Sequence, residues 1–81
     1  MINKNDLKYF LEVSETLHVS RAAERLGLSQ PALSHCLKRI EEEVGLALFV
    51  RSKKGVQLTA AGLRFKDSVG KLILKWEEEI G

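Results

Sequence analysis

The stretch from residue 19 to residue 38 constrains the fold more than any other part of this chain. Ala22 and Ala23 are small enough to let two short helices cross closely, and Gly27 follows as a residue that ends a helix. Ser29 can cap a second helix that carries Pro31 in its first turn, where a missing N–H does no harm. The pattern predicts two helices joined by a tight turn, with an ordinary helical hairpin as the alternative.

Two further helices are predicted on either side of this pair. Asn5 or Asp6 can cap a first helix, in which apolar residues recur at three- and four-residue intervals up to residue 17. Ser20 is the expected N-cap of the second helix, and Gly45 is expected to end the third. Thr59 can cap a last helix of roughly twenty residues.

Between the third and last helices the hydrophobic pattern changes to that of short strands. Residues 48–50 and 56–58 flank a polar loop that contains glycine, which predicts a small hairpin, or wing. The predicted fold is therefore mainly α: a winged helix-turn-helix with a three-helix core and a small β-hairpin wing, followed by a long C-terminal linker helix. We place the winged domain at residues 1–58 and the linker or dimerisation helix at 59–81.

The last helix carries an apolar stripe that we expect a core of this size to leave uncovered. Its members are spaced by alternating steps of four and three residues, which favours a second copy of the helix as the cover. The predicted dimerisation residues are Phe65, Val69, Leu72 and Trp76.

Helical geometry separates two faces of the third helix. Leu33, Leu37, Ile40 and Val44 form a narrow apolar stripe that must be the buried side. Hydroxyl, imidazole and cationic groups on the opposite face can donate to bases and phosphates in a DNA major groove. That face comprises Pro31, Ser34, His35, Lys38, Arg39 and Glu42. The first-turn N–H groups near Ser20–Arg21 and Ser29–Gln30 can meet phosphates as well.

The positive charge is concentrated in the middle of the chain. The formal net charge is only +2, but residues 19–66 hold nine basic and four acidic side chains. Arg51, Lys53 and Lys54 fall in the predicted wing. A basic centre indicates a polyanionic partner.

The sequence gives little support for a membrane protein, a metal-binding protein or an enzyme. Cys36 is the only cysteine, so it cannot form an internal disulfide, and no apolar run is long enough for a membrane span. We therefore expect a cytoplasmic protein without a membrane partner. His18, His35 and Cys36 lack the spacing of metal ligands, and Cys36 has no loop to stabilise an oxyanion. We expect no metal, no cofactor and no enzymatic activity.

The sequence resembles the LysR-type transcriptional regulators. The resemblance lies in "LKYFLEVSETLHV" and in "SRAAERLGLSQPALSHCLKRIEEEVGLALFVRSKKGVQLTAAG", which together cover nearly the whole chain. It implies an N-terminal DNA-binding domain, a linker helix that pairs two subunits, and a separate C-terminal domain for a small effector. That effector domain is absent from this sequence, so we expect either an excised fragment, which we favour, or an unusually short regulator.

The resemblance also implies roles for individual residues on double-stranded DNA. Base contacts would come from Gln30, Pro31, Ser34 and His35. Phosphate contacts would come from Ser20, Arg21, Lys38 and Arg39, and the wing would place Arg51 and Lys53 near a minor groove. His35 and Cys36 depart from the residue pairs that the family often carries there, which leaves the base preference open.

The predicted function is sequence-specific DNA binding as a symmetric dimer on an inverted repeat, with recognition helices in successive major grooves. A winged-helix module for protein–protein interaction is the alternative. A module whose whole function is dimerisation through the last helix is a second one, but it leaves the basic wing unexplained.

Overall fold

The computed structural model describes residues 2–80 and contains four helices and one antiparallel hairpin in that range. Helix α1 spans Lys4–Thr16, α2 Val19–Leu26 and α3 Gln30–Val44. Strands β1 (Phe49–Ser52) and β2 (Gly55–Leu58) follow, and helix α4 spans Ala60–Ile80. The predicted winged helix-turn-helix with a long last helix is thus confirmed.

Two of the predicted helix caps are wrong. Helix α1 is capped by Asn3, whose Oδ1 accepts from the Asp6 N–H at 2.9 Å while the Asn3 N–H donates to Asp6 Oδ2 at 3.0 Å. This is a capping box, so Asp6 acts from the third helical position rather than as the cap itself. Helix α2 is capped by His18, whose Nδ1 accepts from the Arg21 N–H at 3.4 Å, and Ser20 lies inside the first turn.

The turn between α2 and α3 forms as its residues predict. Gly27 adopts the left-handed conformation (φ 71°) in which glycine alone carries no steric cost, and its N–H bonds back to α2. Ser29 Oγ then accepts from the Ala32 N–H at 3.2 Å and starts α3. Ala22 and Ala23 are buried where the two helices cross.

The core is built from all four helices and the hairpin. Its largest fully buried side chains are Phe10, Val13, Leu33, Ile40 and Leu48. The stripe expected on α3 is confirmed as its inner side, since Leu33, Leu37 and Ile40 are all buried. Cys36, one step beside the stripe, is buried with them.

Helix α4 contributes to this core, so the expectation that its apolar stripe lies uncovered is wrong for two residues. The Phe65 ring packs edge-on against Phe10 with centroids 4.9 Å apart, and Val69 is buried. Trp76 is half-buried beneath Lys4, whose Nζ lies 4.5 Å from the ring centroid. Of the predicted stripe only Leu72 is exposed.

Main-chain N–H groups of the wing and of the residue before it bond to the helical part of the domain. On α3, Glu41 Oε2 accepts from the N–H groups of Leu48 at 2.7 Å and Phe49 at 3.1 Å. At the other strand, the Val56 N–H donates to the Leu17 carbonyl at 3.2 Å. The hairpin is therefore fixed both to α3 and to the corner between α1 and α2.

Candidate nucleic-acid interface

Three elements meet on one side of the molecule: the start of α2, the outward face of α3 and the wing. A cleft between α3 and the wing has apolar residues in its lining together with the polar residues Ser34, His35, Lys38, Glu41 and Arg51. A second cleft continues from it, between the start of α2 and the turn of the wing. Its lining includes His18, Ser20, Gln30, Lys53 and Lys54.

Most of the side chains predicted to contact DNA are exposed on these elements. The exposed residues are Ser20, Arg21, Ser29, Gln30, Pro31, His35, Lys38, Arg51, Lys53 and Lys54. The two half-buried ones are Ser34 and Arg39. Because these side chains are exposed and lie on elements that meet, they form one surface with hydroxyl, amide, imidazole and cationic groups.

Ser34 is half-buried and is contacted by the wing. Arg51, on β1, donates from Nη2 to Ser34 Oγ at 3.2 Å. The guanidinium therefore lies beside the recognition face of α3 rather than pointing away along the wing. The two residues are 17 positions apart, so no local pattern in the sequence could have indicated this contact.

A second long-range hydrogen bond joins the starts of α2 and α3. Ser20 donates from Oγ to Gln30 Oε1 at 2.9 Å, across ten positions in the chain. Both residues are exposed and lie in the first turns of their helices. The first turn of a helix carries free N–H groups and a partial positive charge, so both helix starts add to the attraction for phosphate.

Arg39, which was expected on the outward face of α3, is half-buried and engaged by α1. Its Nη2 donates to Asp6 Oδ1 at 2.8 Å, on the flank of α3 that faces α1. Successive residues of a helix turn by about 100°, so Arg39 lies between buried Cys36, about 60° away, and exposed His35, about 40° away. The residues that remain outermost are Pro31, His35, Lys38 and Glu42, all exposed.

The Asp6–Arg39 pair also involves the cysteine. Burial raises the pKa of Asp6, but hydrogen bonds from the Asn3 N–H, Arg39 and the Cys36 thiol outweigh it and leave the pKa below its ordinary value. The Cys36 Sγ lies 3.4 Å from Asp6 Oδ1. Burial, reinforced by that carboxylate, raises the pKa of Cys36 to about 11, so the thiol is a packing and hydrogen-bonding group rather than a nucleophile.

Neither a metal centre nor a membrane span is found in the part of the chain that the structure describes. In residues 2–80, no three His, Cys, Asp or Glu side chains lie together in a way that could hold a metal ion. Within the same range, every helix is too short or too polar to cross a bilayer.

A helix-turn-helix with a basic wing and an exposed polar second helix defines the class of winged helix-turn-helix DNA-binding domains. The profile of the family described as "Bacterial regulatory helix-turn-helix protein, lysR family" matches residues 5–63. The chain belongs to this family, and it is a LysR-type DNA-binding domain.

Similar proteins are transcriptional regulators rather than enzymes. The regulator BudR of Klebsiella aerogenes is 49% identical over 67 residues, which cover 83% of this chain and 47% of BudR. The regulator AlsR of Bacillus subtilis is 54% identical over 56 residues, 69% of this chain and 18% of AlsR. The chain thus spans less than half the length of either relative.

Solved structures of DNA complexes share the fold. The CbnR DNA-binding domain in complex with DNA aligns with a TM-score of 0.92 and 32% identity, covering 96% of this chain and 90% of that one. The BenM DNA-binding domain on a catB site aligns with a TM-score of 0.92 and 30% identity, covering 98% and 85%.

Proposed function

We propose that this domain reads an inverted-repeat operator as a homodimer, with α3 of each subunit in a major groove and the wing along the backbone toward the minor groove. One observation carries the proposal: the start of α2, the outward face of α3 and the wing present their polar side chains on one surface. The opposite face of α3 is buried. The polar side chains Ser34, His35 and Lys38 of α3 lie on the side that also carries the start of α2 and the wing.

The contacts in the structure support the following proposed roles for residues of that surface. Gln30, Ser34 and His35 are the proposed base readers, since they lie on the first two turns of α3 and are exposed or half-exposed. Lys38 is the better candidate for a phosphate contact on α3, because its side chain is exposed whereas Arg39 is engaged by Asp6. Lys53 and Lys54, in the turn of the wing, are proposed to hold the backbone.

The proposed dimer surface differs from the stripe read in the sequence. A shallow groove between α1 and α4 is lined by the apolar residues Leu11, Leu63, Ile73 and Leu74 and by Gly70, with charged residues at its rim. Leu63, Gly70 and Leu74 follow each other at intervals of seven and four, the spacing of a helix–helix seam. Leu63 and Leu74 are 58% and 60% exposed, so a second α4 can bury them.

The remaining parts of the proposal concern the whole protein. Because the curated relatives are longer than this chain, we propose that a separate effector-binding domain follows in the parent protein. We also propose that the parent acts in the bacterial cytoplasm, associated with the nucleoid. Its effector would not contact the domain described here.

The test is selection of bound duplexes from a random pool with the 81-residue chain, repeated at two salt concentrations. Recovery of one symmetric motif supports the proposal, and recovery of no motif at either salt refutes it in favour of the protein-interaction module. Lys53→Ala should weaken binding to the selected site and to all other sequences alike. It should also reduce the slope of log affinity against log salt concentration by about one. Ser34→Ala should instead reduce the preference at one base pair. The loss of binding free energy should be about 1–3 kcal/mol and should be seen only on the best site.

A further inference from the structure

The hydrogen bond between Ser20 and Gln30 restricts what the Gln30 side chain can offer to a base. A glutamine amide has one acceptor oxygen and one amino group with two donors. Here the oxygen is the end that receives the Ser20 hydroxyl at 2.9 Å. Because the amide is planar, with the two ends pointing in different directions from the same carbon, the amino group is turned away from α2.

The electrostatics of the site favour this orientation over the reverse one. Ser20 and Gln30 both lie in first turns, where the helix carries its partial positive charge. Arg51 and Lys53 line the same cleft and add full positive charges. The oxygen is the negative end of the amide, so it is stabilised on the side of these charges, and the amino group is stabilised on the other side.

The orientation matters because bases differ in the edge they show to the major groove. Adenine shows an acceptor and a donor, and it pairs with glutamine through both ends of the amide. Guanine and thymine show acceptors, which need donors only, and cytosine shows a donor. The amide oxygen can accept a second hydrogen bond, but the bond to Ser20 directs the oxygen toward α2. In that orientation the amino group is placed to donate to a base acceptor, and the oxygen is poorly placed to accept from adenine at the same time.

We propose that Ser20 is a specificity-determining positioning residue: it holds Gln30 with its amino group forward, so that this position of the half-site carries guanine or thymine rather than adenine. The inference rests on the proposed function, since it requires Gln30 to face a base. It gives Ser20 a role that is distinct from holding a phosphate, because a phosphate contact does not distinguish bases.

The experiment measures the affinity of the 81-residue chain for four versions of the selected half-site, which differ only at the base pair that Gln30 reads. Gln30→Ala identifies that pair, because it removes preference there and nowhere else. In the unaltered chain, guanine or thymine should bind more tightly than adenine. Measurements are made at one fixed salt concentration, since phosphate contacts make every affinity salt-dependent.

Ser20→Ala frees the amide to rotate and present both ends to adenine. The discrimination against adenine should fall by roughly five- to tenfold, about the value of one hydrogen bond of a bidentate pair. Ser20→Thr keeps the hydroxyl and should preserve the discrimination, which separates loss of the hydrogen bond from a general effect of substitution. A residue that only held a phosphate would weaken all four duplexes equally.

The possible results distinguish a failure of the role proposed for Ser20 from a failure of the proposed DNA-reading function. If Gln30→Ala alters preference at one base pair but Ser20→Ala leaves the ratio unchanged, the inference is overturned and the proposed function stands. A preference of the unaltered chain for adenine at that pair overturns the inference in the same way. If Gln30→Ala changes no base preference at all, the assignment of Gln30 as a reader fails, and the inference fails with it.

Discussion

Glu41 provides the sharpest test of how the wing is held, because a single carboxylate oxygen accepts two main-chain N–H groups of the segment that begins β1. The donors are Leu48 at 2.7 Å, in a residue only 1% exposed, and half-buried Phe49 at 3.1 Å. In Glu41→Ala both bonds are lost, and the Leu48 N–H is left buried without its acceptor. Water can reach Phe49 more easily than Leu48, so the two losses are unequal.

The expected cost follows from these contacts. A hydrogen bond to a charged group contributes about 1.5–3 kcal/mol, and a buried donor without a partner costs about 1–3 kcal/mol. With one buried and one half-buried donor, Glu41→Ala should lower the free energy of unfolding by about 2–4 kcal/mol. In a domain of this size each kcal/mol lowers Tm by roughly 4–8 °C, which makes the change easy to measure.

The assay is urea unfolding followed by circular dichroism, at one protein concentration because association would alter apparent stability. Glu42→Ala is the matched control: it removes the same side chain from the next, exposed position of α3 and should change stability by no more than about 0.5 kcal/mol. Glu41→Gln keeps a neutral acceptor and should fall between the two. Equal stabilities of Glu41→Ala and Glu42→Ala would refute the reasoning, as would unchanged hydrogen exchange at the Leu48 amide.

Two further predictions concern the rest of the fold. Since the folded-state pKa of Asp6 lies below its ordinary value of 3.8, the stability that its ionised form contributes is fully present above that pH and is lost as pH falls through the lower, folded-state pKa. Asp6→Asn should therefore be less stable at neutral pH and should lose less stability than the unaltered chain below about pH 4, and parallel pH–stability curves would contradict this. On α4, Leu74→Lys places a charge in the groove beside α1 and should give a monomer, whereas Leu72→Lys, on another face, should leave the dimer intact. Sedimentation measures the association state of both variants. A dimer for Leu74→Lys and a monomer for Leu72→Lys would instead support the stripe predicted from the sequence as the dimer surface.

Local features of the chain were sufficient to predict the architecture. The helix-turn-helix depends on residues close together in sequence: two alanines at the crossing, Gly27 in a left-handed turn, and the Ser29 cap. The inner side of α3 follows from helical periodicity alone, and it is the buried side in the structure. Such signals act over a few residues, so they can be recognised without knowing what else packs nearby.

Sequence periodicity was insufficient where two flanks of the same helix meet different neighbours. Arg39 and Ser34 both appeared to face outward, but α1 brings Asp6 to one and the wing brings Arg51 to the other. Likewise, the apolar stripe of α4 was expected to be covered by a second copy of the helix, but Phe10 of the same chain packs against Phe65.

For the candidate interface, too, some properties follow from the sequence and others only from the tertiary structure. The sequence alone determined which residue types stand on the outward face of α3 and that the wing is basic. Only the tertiary structure decided which of those groups are already engaged, because their partners lie far away in the chain: 10 positions for Ser20 and Gln30, 17 for Ser34 and Arg51, and 33 for Asp6 and Arg39. A side chain's hydrogen-bonding capacity depends on what surrounds it in space, and those surroundings form only when distant segments pack together.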